Sequence, residues 1–192
     1  MKVVALMGSP RKGGNTDLLT DEFIAGAESE GAQCEKIHLD DLNIRPIAAV
    51  GDDWSMRADL RADDDARPVL EKAAAADIVV FASPVYWQGV TGQMKCLVDR
   101  FSAYYMADWL REGMRGSGLF VITAHGNPSE DESHWITEPV KVWARGFKAK
   151  YLGHVGAGVA RWGAVAEMPE LLEQARKAGA EAVRALTAGN GQ

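Results

Sequence analysis

Short apolar runs alternate with longer stretches of helical spacing along the whole chain. Five runs have the length and β-branched content of strands: 3–7, 34–39, 78–83, 118–124 and 151–159. The third, Ile78-Val79-Val80-Phe81-Ala82, is a continuous apolar run that starts directly after Asp77 and stops just short of Ser83-Pro84, the pattern of a strand covered on both faces. Between the runs, apolar spacing predicts helices over 16–30, 66–76, 91–104 and 133–148, and a last one from 169 to about 186. Pro169 suits a first helical turn, where a missing N–H costs nothing, and Gly31 suits a helix stop. A strand followed by a helix, five times over, predicts a doubly wound α/β domain with a parallel sheet.

Two segments depart from this rhythm. Residues 43–65 hold Pro46, Gly51 and a run of Asp and Arg with little periodicity, which predicts a long surface loop. Residues 105–116 carry Met106, Trp109 and Met114, apolar groups suited to covering a pocket or a subunit contact. The tail from Ala188 to Gln192 is expected to fray.

Composition narrows the class. A chain of 192 residues, 47% hydrophobic and 25% charged, is expected to form one domain over 1–192 with a packed core. Net charge is −6 and the isoelectric point about 5.2, which argues against a nucleic-acid partner. No stretch approaches the roughly 20 apolar residues of a membrane span, and the N-terminal run from Lys2 reads as a strand rather than a leader, so the cytoplasm is expected. Cys34 and Cys96 are too few for a structural zinc or an iron–sulfur cluster and read as small buried hydrophobes.

Candidate chemistry sits at two strand ends. Gly8-Ser9-Pro10-Arg11-Lys12-Gly13-Gly14-Asn15-Thr16 follows the first strand and opens a helix. Such a loop offers backbone N–H groups at a helix N-terminus, with Ser9, Asn15 and Thr16 as neutral donors and Arg11 or Lys12 as a cation, a favourable seat for phosphate. The spacing fits neither G-x-G-x-x-G nor a Walker A loop, since Gly14-Asn15 stands where Lys-Ser/Thr would be needed. A single terminal phosphate is therefore expected rather than a magnesium nucleoside triphosphate. Ser83-Pro84-Val85-Tyr86-Trp87-Gln88-Gly89-Val90 follows the third strand. With strand order 2-1-3-4-5, the crevice where winding reverses lies between strands one and three, and the aromatic pair offers a flat wall for a planar ring.

Together Gly8-Ser9-Pro10-Arg11-x-x-Gly14-Asn15-Thr16 and Ser83-Pro84-Val85-Tyr86-Trp87-x-Gly89-x-x-Gly92-Gln93-Met94-Lys95 resemble the NADPH-dependent FMN reductase and quinone reductase branch of the flavodoxin-like family. The match covers residues 1–100 by motif, and the iron–sulfur flavoproteins are its nearest look-alikes. The resemblance implies a flavodoxin-like three-layer sandwich with a five-stranded parallel sheet of order 2-1-3-4-5. It implies FMN as cofactor and NADPH or NADH as co-substrate, with hydride passing through flavin N5 to a small acceptor: a quinone, free flavin, nitro or azo compound. It places the FMN phosphate on Ser9, Arg11, Gly14, Asn15 and Thr16, and the isoalloxazine against Pro84, Val85, Tyr86 and Trp87. The loop Thr123-Ala124-His125-Gly126-Asn127-Pro128 matches more loosely and would meet the pyrimidine side through His125 and Gly126. Relatives bind the acceptor at a subunit boundary, so a homodimer or homotetramer is expected. Iron–sulfur members carry clustered cysteines after strand two, whereas this chain has Ile47-Ala48-Ala49-Val50-Gly51-Asp52-Asp53-Trp54 there, so a flavin-only protein is expected.

His125 is a candidate to stabilise charge on the reduced ring or to protonate a reduced quinone, against a merely structural role. His134 with Glu130, Asp131 and Glu132 reads as an acidic helix start rather than a metal site. Trp135 and Trp143 read as core or subunit packing, and Asp63-Asp64-Asp65 as a helix cap. Ser9 and Ser83 lack a G-x-S-x-G elbow, which gives a hydrolase no support. Two other functions compete: an electron carrier docking on a redox partner, against which −6 is a modest charge, and a non-enzymatic module.

Overall fold

The computed structural model describes residues 1–48 and 63–189. Five strands, β1 (Lys2–Met7), β2 (Gln33–His38), β3 (Ile78–Pro84), β4 (Gly118–His125) and β5 (Lys150–Gly158), form an all-parallel sheet of order β2-β1-β3-β4-β5. This is the flavodoxin-like order that the motifs imply. The helices are α1 (Asn15–Ser29), α2 (Ala66–Ala74), α3 (Gly92–Tyr104), α4 (Asp108–Met114), α5 (His134–Phe147) and α6 (Pro169–Gly189).

Alternation along β1 divides the core. Val4 and Leu6 pack on one face with α2 to α5, while Val3, Ala5 and Met7 pack on the other with α1 and α6. Both faces are thereby covered, which is why β3 and β4 read as unbroken apolar runs and are buried almost end to end.

On the second face α1 and α6 touch backbone to backbone. A Cβ on Gly26 would lie 1.8 Å from the Arg176 carbonyl oxygen, and one on Gly179 would lie 1.9 Å from that of Phe23. On the first face Arg100 of α3 is wholly buried and pairs at 2.5 Å with Asp64 just ahead of α2.

Element bounds match expectation to within a residue or two, with three differences. Helix α4 falls in 105–116, where no element is expected; Leu110 and Met114 are buried against the core and α2 lies close enough that a Cβ on Gly113 would sit 2.4 Å from the Ala74 carbonyl oxygen. Helix α6 runs to Gly189, through part of the tail expected to fray; residues 190–192 lie outside the described residues. In the acidic run 63–65 the cap is Asp64, whose Oδ1 accepts from the Ala66 amide at 3.1 Å, while Asp65 makes no side-chain cap bond. Of the loop expected over 43–65, residues 49–62 lie outside the described residues. Among the described residues no helix is long and apolar enough to cross a membrane.

Candidate cofactor site

The carboxyl ends of β1 and β3 are tied together before any ligand is considered. Gly8 donates its amide to the Ala82 carbonyl at 2.7 Å, and Thr91 donates its hydroxyl to the Gly8 carbonyl at 2.7 Å while capping α3 by accepting from the Met94 amide. Gly8 must be small, because a Cβ there would meet the Met94 Cβ at 2.8 Å.

From that knot the chain turns into α1. The Ser9 hydroxyl accepts from the Arg11 amide at 3.1 Å, the Arg11 carbonyl accepts from Gly14, and the Gly13 amide donates to Asp17 Oδ2 at 2.7 Å. Burial pushes the Asp17 carboxyl up, but the Lys36 ammonium at 2.8 Å and the Gly13 amide outweigh it and hold it below the usual carboxylate value. Among the described residues the amides of Asn15 and Thr16 meet no acceptor, which leaves the first turn of a 15-residue helix ready for an anion. Of the two candidate cations, Lys12 is taken by Asp41 at 2.7 Å, whereas the Arg11 guanidinium meets no carboxylate among the described residues.

Beyond β3 the Val85 amide donates to the Ala124 carbonyl at 2.8 Å, fixing the next loop against the end of β4. Tyr86 and Gly89 then exchange backbone hydrogen bonds at 2.9 and 3.1 Å around Trp87 and Gln88, both at positive φ (49° and 60°). Two consecutive left-handed residues make a type I′ turn, a geometry that usually takes Asn or Gly.

At the end of β4 the His125 ring is buried, its Nδ1 has no hydrogen-bond partner among the described residues, and Glu132 Oε2 lies 3.9 Å away from that nitrogen. Asp131 Oδ1 is 3.9 Å from Nε2. The ring leans over Gly158, where a Cβ would come within 2.9 Å of it. Behind it His154 shares a 2.8 Å hydrogen bond with Thr123, and burial chiefly lowers its basicity.

Ser9, Arg11, Gly14, Asn15, Thr16, Pro84, Val85, Tyr86, His125 and Gly126 line a single crevice of about 130 Å³. A family model for NADPH-dependent FMN reductases matches residues 1–131. The chain belongs to that family. An iron–sulfur flavoprotein of Archaeoglobus fulgidus is 31% identical over 145 residues, 74% of this chain and 64% of that protein. The iron–sulfur flavoprotein MJ1083 of Methanocaldococcus jannaschii is 35% identical over 117 residues, 61% of this chain and 60% of its own length. The matches thus span under two thirds of these relatives. The solved NAD(P)H:quinone oxidoreductase from Methanothermobacter marburgensis superposes with a TM-score of 0.65 at 20% identity, covering 93% of both chains, a likeness of fold.

In this FMN reductase family member, one expected site residue stands apart. Trp87 is at the tip of its turn, fully exposed at 102%, and lines a second, larger cavity of about 1290 Å³ between α3 and α5 rather than the crevice. The larger cavity is mostly apolar, walled by Tyr105, Trp135 and Trp143 among others, and meets the crevice at Tyr86. That cavity has the greater volume, but the free amides, Arg11 and His125 all belong to the crevice.

Trp162, Val159 and Ala160, from the segment after β5, complete the crevice. In the sequence that segment carries only a weak mark, the aromatic-glycine pair Trp162-Gly163. Asn15 also behaves differently from expectation: its side chain donates to the Arg161 carbonyl at 2.9 Å and accepts from the Val165 amide at 3.2 Å, so it braces that segment. Cys34 and Cys96 are free and half-buried rather than buried, and burial raises both thiols, Cys34 to about 11, which keeps them unreactive.

Proposed function

We propose that the crevice holds FMN and that this chain is a flavin-only NAD(P)H oxidoreductase acting on a small electron acceptor. The observation that carries the reading is the convergence on one crevice, at the switch between β1 and β3, of two strand-end loops, an arginine without a carboxylate and helix amides without an acceptor among the described residues. The residues suit the group: the donors are those a phosphate dianion needs, and the buried, unpartnered His125 Nδ1 is a polar atom awaiting a partner. FMN, when bound, supplies two-electron chemistry at N5, accepting hydride from NADPH or NADH and passing it on.

The protein's own part is binding and placement. Arg11, the Ser9 and Thr16 hydroxyls and the amides of Gly14, Asn15 and Thr16 would hold the phosphate. Pro84, Val85 and Tyr86 would wall the ring, with Trp87 set at the mouth of the larger cavity where an acceptor approaches. His125 and the Gly126 amide would face the pyrimidine edge, and His125 would hold or deliver a proton beside Asp131 and Glu132. Two cysteines offer too few thiolates for a four-cysteine cluster, which supports the flavin-only reading.

Titration of the purified apoprotein with FMN is expected to quench flavin fluorescence with micromolar or tighter affinity. NAD(P)H should then bleach the bound flavin, and added quinone should restore its colour over many cycles. His125→Gln should keep the affinity and slow turnover roughly tenfold to hundredfold. Absence of flavin binding would reject the reading, while binding without NAD(P)H turnover would leave an electron carrier.

We further read the α3–α5 face as the contact with a second copy of this chain, in a homodimer or homotetramer. Trp87, Met106, Val142, Tyr105 and Trp135 are all exposed there around one apolar cavity, a grouping suited to burial against a second copy. Light scattering at micromolar concentration should give at least twice the mass of one 20.8 kDa subunit, and Val142→Glu should halve it.

A further inference from the structure

The segment after β5 is fastened to the loop after β1 across most of the chain. The Trp162 indole N–H donates to the Gly13 carbonyl at 3.1 Å, and Asn15 holds Arg161 and Val165 through the two ends of its amide. The Trp162 ring lies beneath the Arg11 guanidinium, 5.7 Å from centroid to Cζ.

Each contact bears on what the crevice presents to an anion. Gly13 sits at φ 69°, and its amide is taken by Asp17 and its carbonyl by Trp162. Both polar groups of that residue are thereby engaged within the protein, so the turn is pinned at a conformation that leaves the Asn15 and Thr16 amides as donors. A carbonyl free to swing toward the helix N-terminus would repel phosphate, and the indole N–H holds it. Arg11, without a carboxylate among the described residues, is stationed at the crevice by the indole face instead of roaming in solvent.

We propose that Trp162 is a positioning residue for the terminal phosphate of the ligand, and so selects a flavin that carries that phosphate over one that lacks it. The proposal rests on the reading of the crevice as the FMN site. Trp162 is 55% exposed and belongs to neither core cluster among the described residues, so core packing does not account for a tryptophan there.

Two variants separate its contacts. Trp162→Phe keeps a ring face for Arg11 and loses the N–H; Trp162→Ala loses both. Dissociation constants for FMN and for riboflavin are measured by flavin fluorescence on each apoprotein, with inorganic phosphate as a competing probe. Loss of one hydrogen bond predicts FMN affinity reduced about fivefold to tenfold in Trp162→Phe, and loss of the cation contact as well predicts about thirtyfold in Trp162→Ala. Riboflavin affinity should stay within about twofold throughout, since the ring wall is untouched. Phosphate should weaken FMN binding to the wild type at lower concentration than in either variant. Equal losses for the two flavins, or no loss in Trp162→Phe, would overturn the proposal and leave the FMN reading intact. A wild-type protein that binds neither flavin would overturn both. Should Trp162→Ala melt well below the wild type, Trp162→Phe decides alone.

Discussion

Asp64→Ala is expected to destabilise the protein by about 3 kcal/mol, because it removes the buried carboxylate that pairs with the Arg100 guanidinium at 2.5 Å and takes the acceptor from two backbone amides. Both side chains have no exposed surface, and Asp64 also accepts from the amides of Arg45 and Ala66. Chemical denaturation at neutral pH measures the loss. The double variant Asp64→Ala with Arg100→Met should recover a large part of it, since an apolar side chain of similar length leaves no charge to desolvate. The effect carries a pH signature. Burial raises the Asp64 carboxyl, but the hydrogen bond from Arg100, the two amides and the Arg100 charge together hold it below the usual carboxylate value. A group depressed in the folded state contributes fully above its unfolded value and loses that contribution as pH falls through the folded one. The stability gap between wild type and Asp64→Ala should therefore be constant from neutral pH to about pH 4 and narrow below it. A gap that widened in acid would contradict this assignment.

Gly26→Val is expected to cost about 3 kcal/mol or more, beyond the usual range for a crowded core, because the clash at 1.8 Å is with a backbone carbonyl that no rotamer change can relieve. The α1–α6 pair would have to separate, breaking the contact at Gly179 and straining the ion pairs Arg176–Glu22 and Arg184–Glu30 beside it. Thermal unfolding should fall by roughly 6–12 °C at this chain length. Gly31→Ala serves as a control on the same helix end, where nothing lies within 4 Å of the new Cβ and a positive φ accounts for a much smaller loss. Equal melting of the two variants would refute the close-packing argument.

How far the sequence could be read depends on where each feature is encoded. The strands were legible because burial on both faces forces unbroken apolar runs such as Ile78 to Ala82, whereas the repeated crossover gives only a parallel sheet and the order 2-1-3-4-5 comes from the family resemblance. Helix α4 was not, because its seven residues are too few to establish a period and its position depends on Gly113 nestling against α2. The loops after β1 and β3 were legible because phosphate-seating and turn residues lie consecutively at strand ends. Residue type alone leaves Arg11 and Lys12 equivalent and only the family motif names Arg11, since Asp41, which occupies Lys12, lies in the turn after β2. Trp87 reads as a wall residue from its type, but the left-handed turn that carries it outward is a matter of backbone dihedrals rather than composition. Trp162 and the bracing role of Asn15 were invisible for a related reason. They join positions about as distant in the chain as the fold allows, through side-chain contacts that leave no local pattern.

The close seam between α1 and α6 also bears on how the molecule is made. Ala175, Ala182, Val183 and Leu186 seal the same half-core as Val3, Ala5 and Phe23, residues translated first. Until α6 has left the ribosome, that apolar sheet face lacks part of its cover, so this half of the core can close only late in synthesis.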